Sequence, residues 1–210
     1  MPSLYSGTND GHVKKALTSN WAAARDGTTG QADSNDSSQQ YAVRVSKLAS
    51  GRGTQWQVWR AFFEFNTSAI KHRPSVAELN IYGLTSGTAD LFVIKSEQSG
   101  TLANTDFDAI TGWSAGADNS GNVTKYSSEV TTWSTSGYNT IPLNSAALSD
   151  MVSLDTFKVC LIEADYDLTN TEPDTGVNIY SGVYYADSGT STTPYIDLVK
   201  GAGVFFGCNF

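Results

Sequence analysis

The clearest signal along the chain is alternation. Residues 55–65 read QWQVWRAFFEF, placing Trp59, Ala61, Phe63 and Phe65 on one side of an extended backbone and Arg60 and Glu64 on the other. That is the period-two pattern of a strand with one face in a core. Residues 76–84 repeat it, with Ala77, Leu79 and Ile81 on one side, Glu78, Asn80 and Tyr82 on the other, and Gly83 near the strand end. Residues 41–48 alternate as well, and Ser50, Gly51 and Gly53 then mark a turn. Residues 89–96, ADLFVIKS, are apolar on both sides. This predicts a strand covered twice, its second cover being the N-terminal segment or a neighbouring subunit.

Residues 138–143 form a short strand containing Pro142, which places it at a sheet edge or ends it at that residue because proline cannot donate to a ladder. Asn144 or Ser145 then caps a helix over 146–152 that gathers Ala147, Leu148 and Met151 on one face. Strands over 156–164, 177–185 and 195–200 close the chain, separated by polar stretches. About eight short strands predict an all-β, jelly-roll-type antiparallel β-sandwich with one short helix. Residues 1–40 are dominated by Gly, Ser, Thr, Asn and Asp without sustained periodicity. They read as an extended N-terminal arm, with a short helix around 13–17, ahead of a single domain over 41–210. Residues 98–135 read as loop, with Trp113 and Trp133 as isolated aromatic anchors.

Composition narrows the function classes. The 40% apolar content, with five Trp, nine Phe and ten Tyr, suffices for one sizeable core. A formal charge of −8 repels a phosphate backbone, so nucleic acid is a poor partner. No apolar run approaches the ~20 residues of a membrane helix, and MPSLYSGTNDGHVKK lacks the basic-then-apolar order of a signal peptide. The expectation is a protein made in the cytoplasm and not inserted in membranes. Cys160 and Cys208 are too few for a disulfide framework or a four-cysteine zinc site; they are free or bridged to each other.

In residues 60–68, Arg60, Phe62, Phe63, Phe65, Asn66, Thr67 and Ser68 form one recognisable segment. Val76, Ala77, Leu79, Ile81 and Tyr82 follow one residue short of the usual spacing, and VNIYSGVYYADSGTSTTPYIDL reads as a closing hairpin. This order resembles the DNRLRE-type domains, a β-sandwich family found in carbohydrate-binding modules and in phage structural or surface proteins. The resemblance covers roughly two thirds of the chain and implies fold more than function.

Catalytic motifs are absent. His12, in the arm, and His72, between Lys71 and Arg73, read as surface residues; no phosphate loop, dinucleotide fingerprint or nucleophile elbow occurs, and no acidic pair has glycosidase spacing. Asp165, Asp167, Glu172 and Asp174 gather oxygen ligands in one segment, the residue type that calcium takes, and form the candidate metal site. Trp113, Trp133, Tyr138, Tyr180 and Tyr184 are candidates for stacking on sugar rings. Two non-enzymatic functions are therefore expected. One is a virion structural protein, a phage capsid decoration or tail-associated subunit that assembles with copies of itself and other virion proteins and faces a host surface glycan. The other is a carbohydrate-binding module, whose aromatics should form a solvent-facing strip.

Overall fold

The structure is a computed structural model that describes residues 3–51 and 53–199. Each strand predicted from the alternation is present: β4 (Ser38–Ser50), β5 (Gly53–Asn66), β6 (Val76–Ser86), β7 (Leu91–Lys95), β8 (Tyr138–Pro142), β9 (Thr156–Glu163), β10 (Asn178–Tyr184) and β11 (Tyr195–Val199). Three more lie in the expected arm, β1 (Ser3–Tyr5), β2 (Gly11–Thr18) and β3 (Gln31–Asp33), together with helix α1 (Trp21–Arg25). The arm expectation is corrected accordingly. β2 pairs with β5 from Gly11 opposite Phe62 to Thr18 opposite Trp56, and its Val13 is fully buried. Only the first three residues of β2 are buried, so its sequence carries too little alternation to show a strand; the expected helix around 13–17 lies within it.

All pairings are antiparallel, and the fold is an all-β sandwich. The long strand β5 joins its parts. One edge of β5 pairs with β4 up to Trp59 and with β9 from Ala61 onward, while β2 runs along the other edge. β7 continues from β9, and β3 from β2. β4 also pairs with β10, which leads through β6 and β11 to β1, and β8 pairs with β6. Pro142 ends β8, as its missing N–H requires.

The main core lies between the sheets. It is built from Ala61, Phe63 and Phe65 of β5, Ala77, Leu79 and Ile81 of β6, Phe157, Val159 and Leu161 of β9, and Ile196 and Leu198 of β11. Helix α2 (Ser145–Ser153) adds Ala147, Leu148 and Met151. Asn144 caps it, accepting from the N–H groups of Ala146 and Ala147 at 3.0 and 3.2 Å.

A second core covers the outside of the β5–β9–β7 sheet. Val58, Phe62, Ile94, Cys160 and Ile162 project into it, and Trp21 and Ala24 of α1 cover them together with Leu102, Phe107, Ile110 and Val123. Thus the second cover comes from the N-terminal segment and the chain's own loop region together. Cys160 is a buried free thiol, raised by burial above the ordinary range; Cys208 lies outside the described residues.

Candidate functional site

The parity that buries Ala77, Leu79 and Ile81 turns Glu78, Asn80 and Tyr82 to the opposite face of β6. Its neighbours extend that face. Tyr138 and Thr140 of β8 lie opposite Tyr82 and Asn80; Tyr195 and Asp197 of β11 lie opposite Asn80 and Glu78; Tyr5 and Ser3 of β1 lie opposite Tyr195 and Asp197. From β10, Tyr184 adds a fifth ring.

These rings form a continuous row. Tyr184 meets Tyr82 at 5.5 Å between centroids, Tyr82 meets Tyr138 at 5.1 Å, Tyr138 meets Tyr195 at 5.0 Å, and Tyr195 meets Tyr5 at 5.8 Å. The first three pairs are edge-to-face, with interplanar angles of 73–85°, the arrangement favoured by the ring quadrupole. Faces and edges therefore alternate along the row. Tyr5 is 60% exposed and the other four are half-buried.

The phenols are anchored from their polar ends. Tyr82 donates to the Ser136 carbonyl at 2.9 Å, and Tyr138 shares its proton between the carbonyls of Ser191 and Thr193 at 3.1 and 3.2 Å. Burial raises the pKa of Tyr138, and the neighbouring Tyr195 adds to it. Burial likewise raises Tyr195, helped by the charge of Asp197. Both stay protonated donors at neutral pH. Between the rings, Thr140 donates to the Asn80 amide oxygen at 2.7 Å, and Ser3 donates to Asp197 at 2.6 Å.

Two open grooves adjoin the row. One of about 500 Å³ lies beside Tyr5 and is lined by Glu64, Asn66, Ser68, Lys71 and Asp155 among others. The second, about 420 Å³, lies beside Tyr138 and is lined by Trp133, Asn139, Thr140 and Ile141 among others.

Of the five aromatics singled out from the sequence, the fold brings only Tyr138 and Tyr184 into the row. Trp133 packs against the main core, donating to the Gly182 carbonyl at 3.1 Å. Gly83 makes room for this region, since a Cβ there would stand 1.8 Å from the Ser134 carbonyl and 2.9 Å from Trp133 Nε1. Trp113 lies against the guanidinium groups of Arg25 and Arg60, at 4.5 and 4.1 Å from its ring centre. Tyr180 packs edge-on against Tyr41 at 4.8 Å. These three are occupied by packing. Sequence reasoning passed over Tyr5, Tyr82 and Tyr195 as stacking residues, although the outward parity of Tyr82 was legible.

The four expected calcium ligands do not converge. Asp167 is fully buried and takes two hydrogen bonds from Arg60, at 2.7 and 2.8 Å. Glu172 accepts from Lys47 at 2.8 Å and from Trp56 Nε1 at 3.1 Å, and Asp174 is exposed in a turn. Asp165 instead lies with Asp90 and Glu129, their carboxylate oxygens within 4.8 Å of one another. The organiser of this segment is Glu163, whose buried carboxylate accepts the N–H groups of Asp165, Tyr166 and Asp167 at 2.7–2.9 Å and starts a π-helical turn over Ala164–Leu168.

His12 is a further correction. It is fully buried, stacked on Trp59 at 5.2 Å and facing Tyr185 at 6.5 Å. Burial lowers its pKa to about 4. His72 is exposed, as expected.

No protein-family model matches the chain, and no curated protein matches it.

Proposed function

We propose that this chain is a non-catalytic, carbohydrate-binding β-sandwich that lays an extended polysaccharide across the tyrosine row. The observation carrying this reading is the row itself: five tyrosines on the five strands β10, β6, β8, β11 and β1, in contact ring to ring and partly open to solvent. Ring centres are spaced 5.0–5.8 Å apart along it. Ring faces suit the C–H faces of sugars, while phenols, Asn80 and Thr140 offer hydrogen-bonding groups between them.

The test is affinity electrophoresis and pull-down against a panel of polysaccharides, with Tyr82→Ala and Tyr195→Ala as probes. Loss of one stacking ring should weaken binding by about 1 kcal/mol, roughly fivefold, with thermal unfolding recorded to separate binding from folding. Retention of full affinity by both variants, or binding to no member of the panel, would overturn the reading.

A second reading is a virion structural subunit that assembles with its own copies and other virion proteins. Tyr5, Val76 and Val199 favour it, since these exposed apolar side chains occur on the adjacent strands β1, β6 and β11. Light scattering on the purified chain tests this: a defined oligomer that Tyr5→Ser dissociates supports assembly, and a monomer at high concentration refutes it.

A further inference from the structure

The charge on the tyrosine face points to one class of glycan. In the antiparallel register of β6 and β11, Glu78 lies directly opposite Asp197. Like charges facing each other across a ladder destabilise a sheet. Among the described residues, neither carboxylate has a Lys or Arg within ion-pair distance; every ion pair lies elsewhere. The two acids influence Tyr195, which touches both Tyr5 and Tyr138. The groove beside Tyr5 adds Glu64 and Asp155 against a single cation, Lys71. The aromatic row thus runs through a strip of negative charge. An ammonium group fits this setting twice, through the faces of electron-rich rings and through the carboxylates.

We infer that the polysaccharide laid on the tyrosine row carries protonated amines, as a hexosamine polymer does, with an amine seated at Tyr195 between Glu78 and Asp197. The inference rests on the carbohydrate-binding reading above. It specifies charge where that reading specifies only shape, and it excludes uronate and sulfated polymers on grounds of repulsion.

The experiment compares three probes: a glucosamine oligomer with free amines, its N-acetylated counterpart of equal length, and a polyuronate, each titrated against the full chain at mildly acidic pH. The free-amine oligomer should bind about three- to tenfold more tightly than the acetylated one, the gap closing with added salt. The double variant Glu78→Gln/Asp197→Asn should close the same gap by bringing the free-amine oligomer down to the affinity of the acetylated one. A control, Glu97→Gln/Asp174→Asn, removes two exposed acids that lie on none of the strands carrying the row and should leave the gap intact, separating a local site from the overall charge of −8. Equal binding of the two hexosamine oligomers, tighter binding of the polyuronate, or an equal effect of the control variant would overturn the inference while leaving carbohydrate binding standing. Failure of all three probes to bind would overturn the inference too, and the carbohydrate reading falls with it only if no member of the wider polysaccharide panel binds.

Discussion

Replacing Asp167 by Asn tests how the loop layer is held to the sheet. Asp167 and its partners Arg60 and Arg25 are fully buried. Arg60 binds both oxygens of the carboxylate, at 2.7 and 2.8 Å, and its remaining N–H groups reach the carbonyls of Phe107 at 2.8 Å and Arg25 at 3.1 Å. One guanidinium therefore ties β5 to the loop, to α1 and to the π-helical turn. Arg25 Nε lies 3.8 Å from the same carboxylate. Asp167→Asn leaves the buried Arg60 without its counter-charge, leaves Arg25 with Asp26 as its one carboxylate partner, and presents amide hydrogens to guanidinium hydrogens. Breaking a buried pair from one side costs about 3–5 kcal/mol, a large share of a domain stability of about 5–15 kcal/mol. With an m-value of about 2–3 kcal/mol/M, the urea midpoint should fall by about 1–2.5 M. The half-exposed pair of Lys47 and Glu172, 2.8 Å apart, supplies the contrast: Glu172→Gln should cost less than about 1 kcal/mol and lose its effect in high salt. Urea unfolding followed by tryptophan fluorescence measures both variants. A shift below about 0.3 M for Asp167→Asn would refute the reasoning, because it would mean that the buried charges need no compensation.

Four more outcomes are expected. Burial raises Asp10 to about 7. Its ionisation therefore opposes folding increasingly from about pH 4, where the unfolded carboxyl loses its proton, to about pH 7, and fully above that. Asp10→Asn should raise the unfolding temperature at pH 8 relative to wild type more than at pH 4.5. His12, lowered to about 4, acts with the opposite sign: the native state resists its protonation, so stability falls from about pH 6.5 down to about pH 4. His12→Gln should flatten that slope in a pH series of thermal melts. Gly83→Ala drives a methyl into the Ser134 carbonyl and should cost about 1–3 kcal/mol, whereas Glu78→Gln relieves the opposition with Asp197 and should gain about 0.2–1 kcal/mol. Differential scanning calorimetry distinguishes these signs.

Residues 55–65 and 76–84 were legible because a half-buried strand writes its parity into the chain: Phe63, Leu79 and Ile81 face the main core as alternation requires. The loss of legibility in residues 1–40 has an equally local cause. β1 and β3 are three residues long, too short to show a period. Lys14 and Lys15 stand in the middle of β2, where the strand leaves the core. Arg60 was read as a polar position on the solvent side. In the fold it is buried, because residues from Leu102 to Val123 return over that face and Asp167 neutralises it. Nothing in the spacing of Arg60 and Asp167, 107 residues apart, announces their meeting.

The tyrosine row divides the same way. The outward position of Tyr82 follows from its own strand's alternation, and the sequence by itself determined that Tyr82 and Tyr138 belong to strands and that the domain is a β-sandwich. Which tyrosines touch depends on the register of β1, β6, β8, β10 and β11. The tertiary structure alone decided that, together with the opposition of Glu78 to Asp197 and the scattering of the acidic residues from 165 to 174. The physical reason is that periodicity is a property of one strand in its local environment. Register is set by the packing of the whole core, which no single segment encodes.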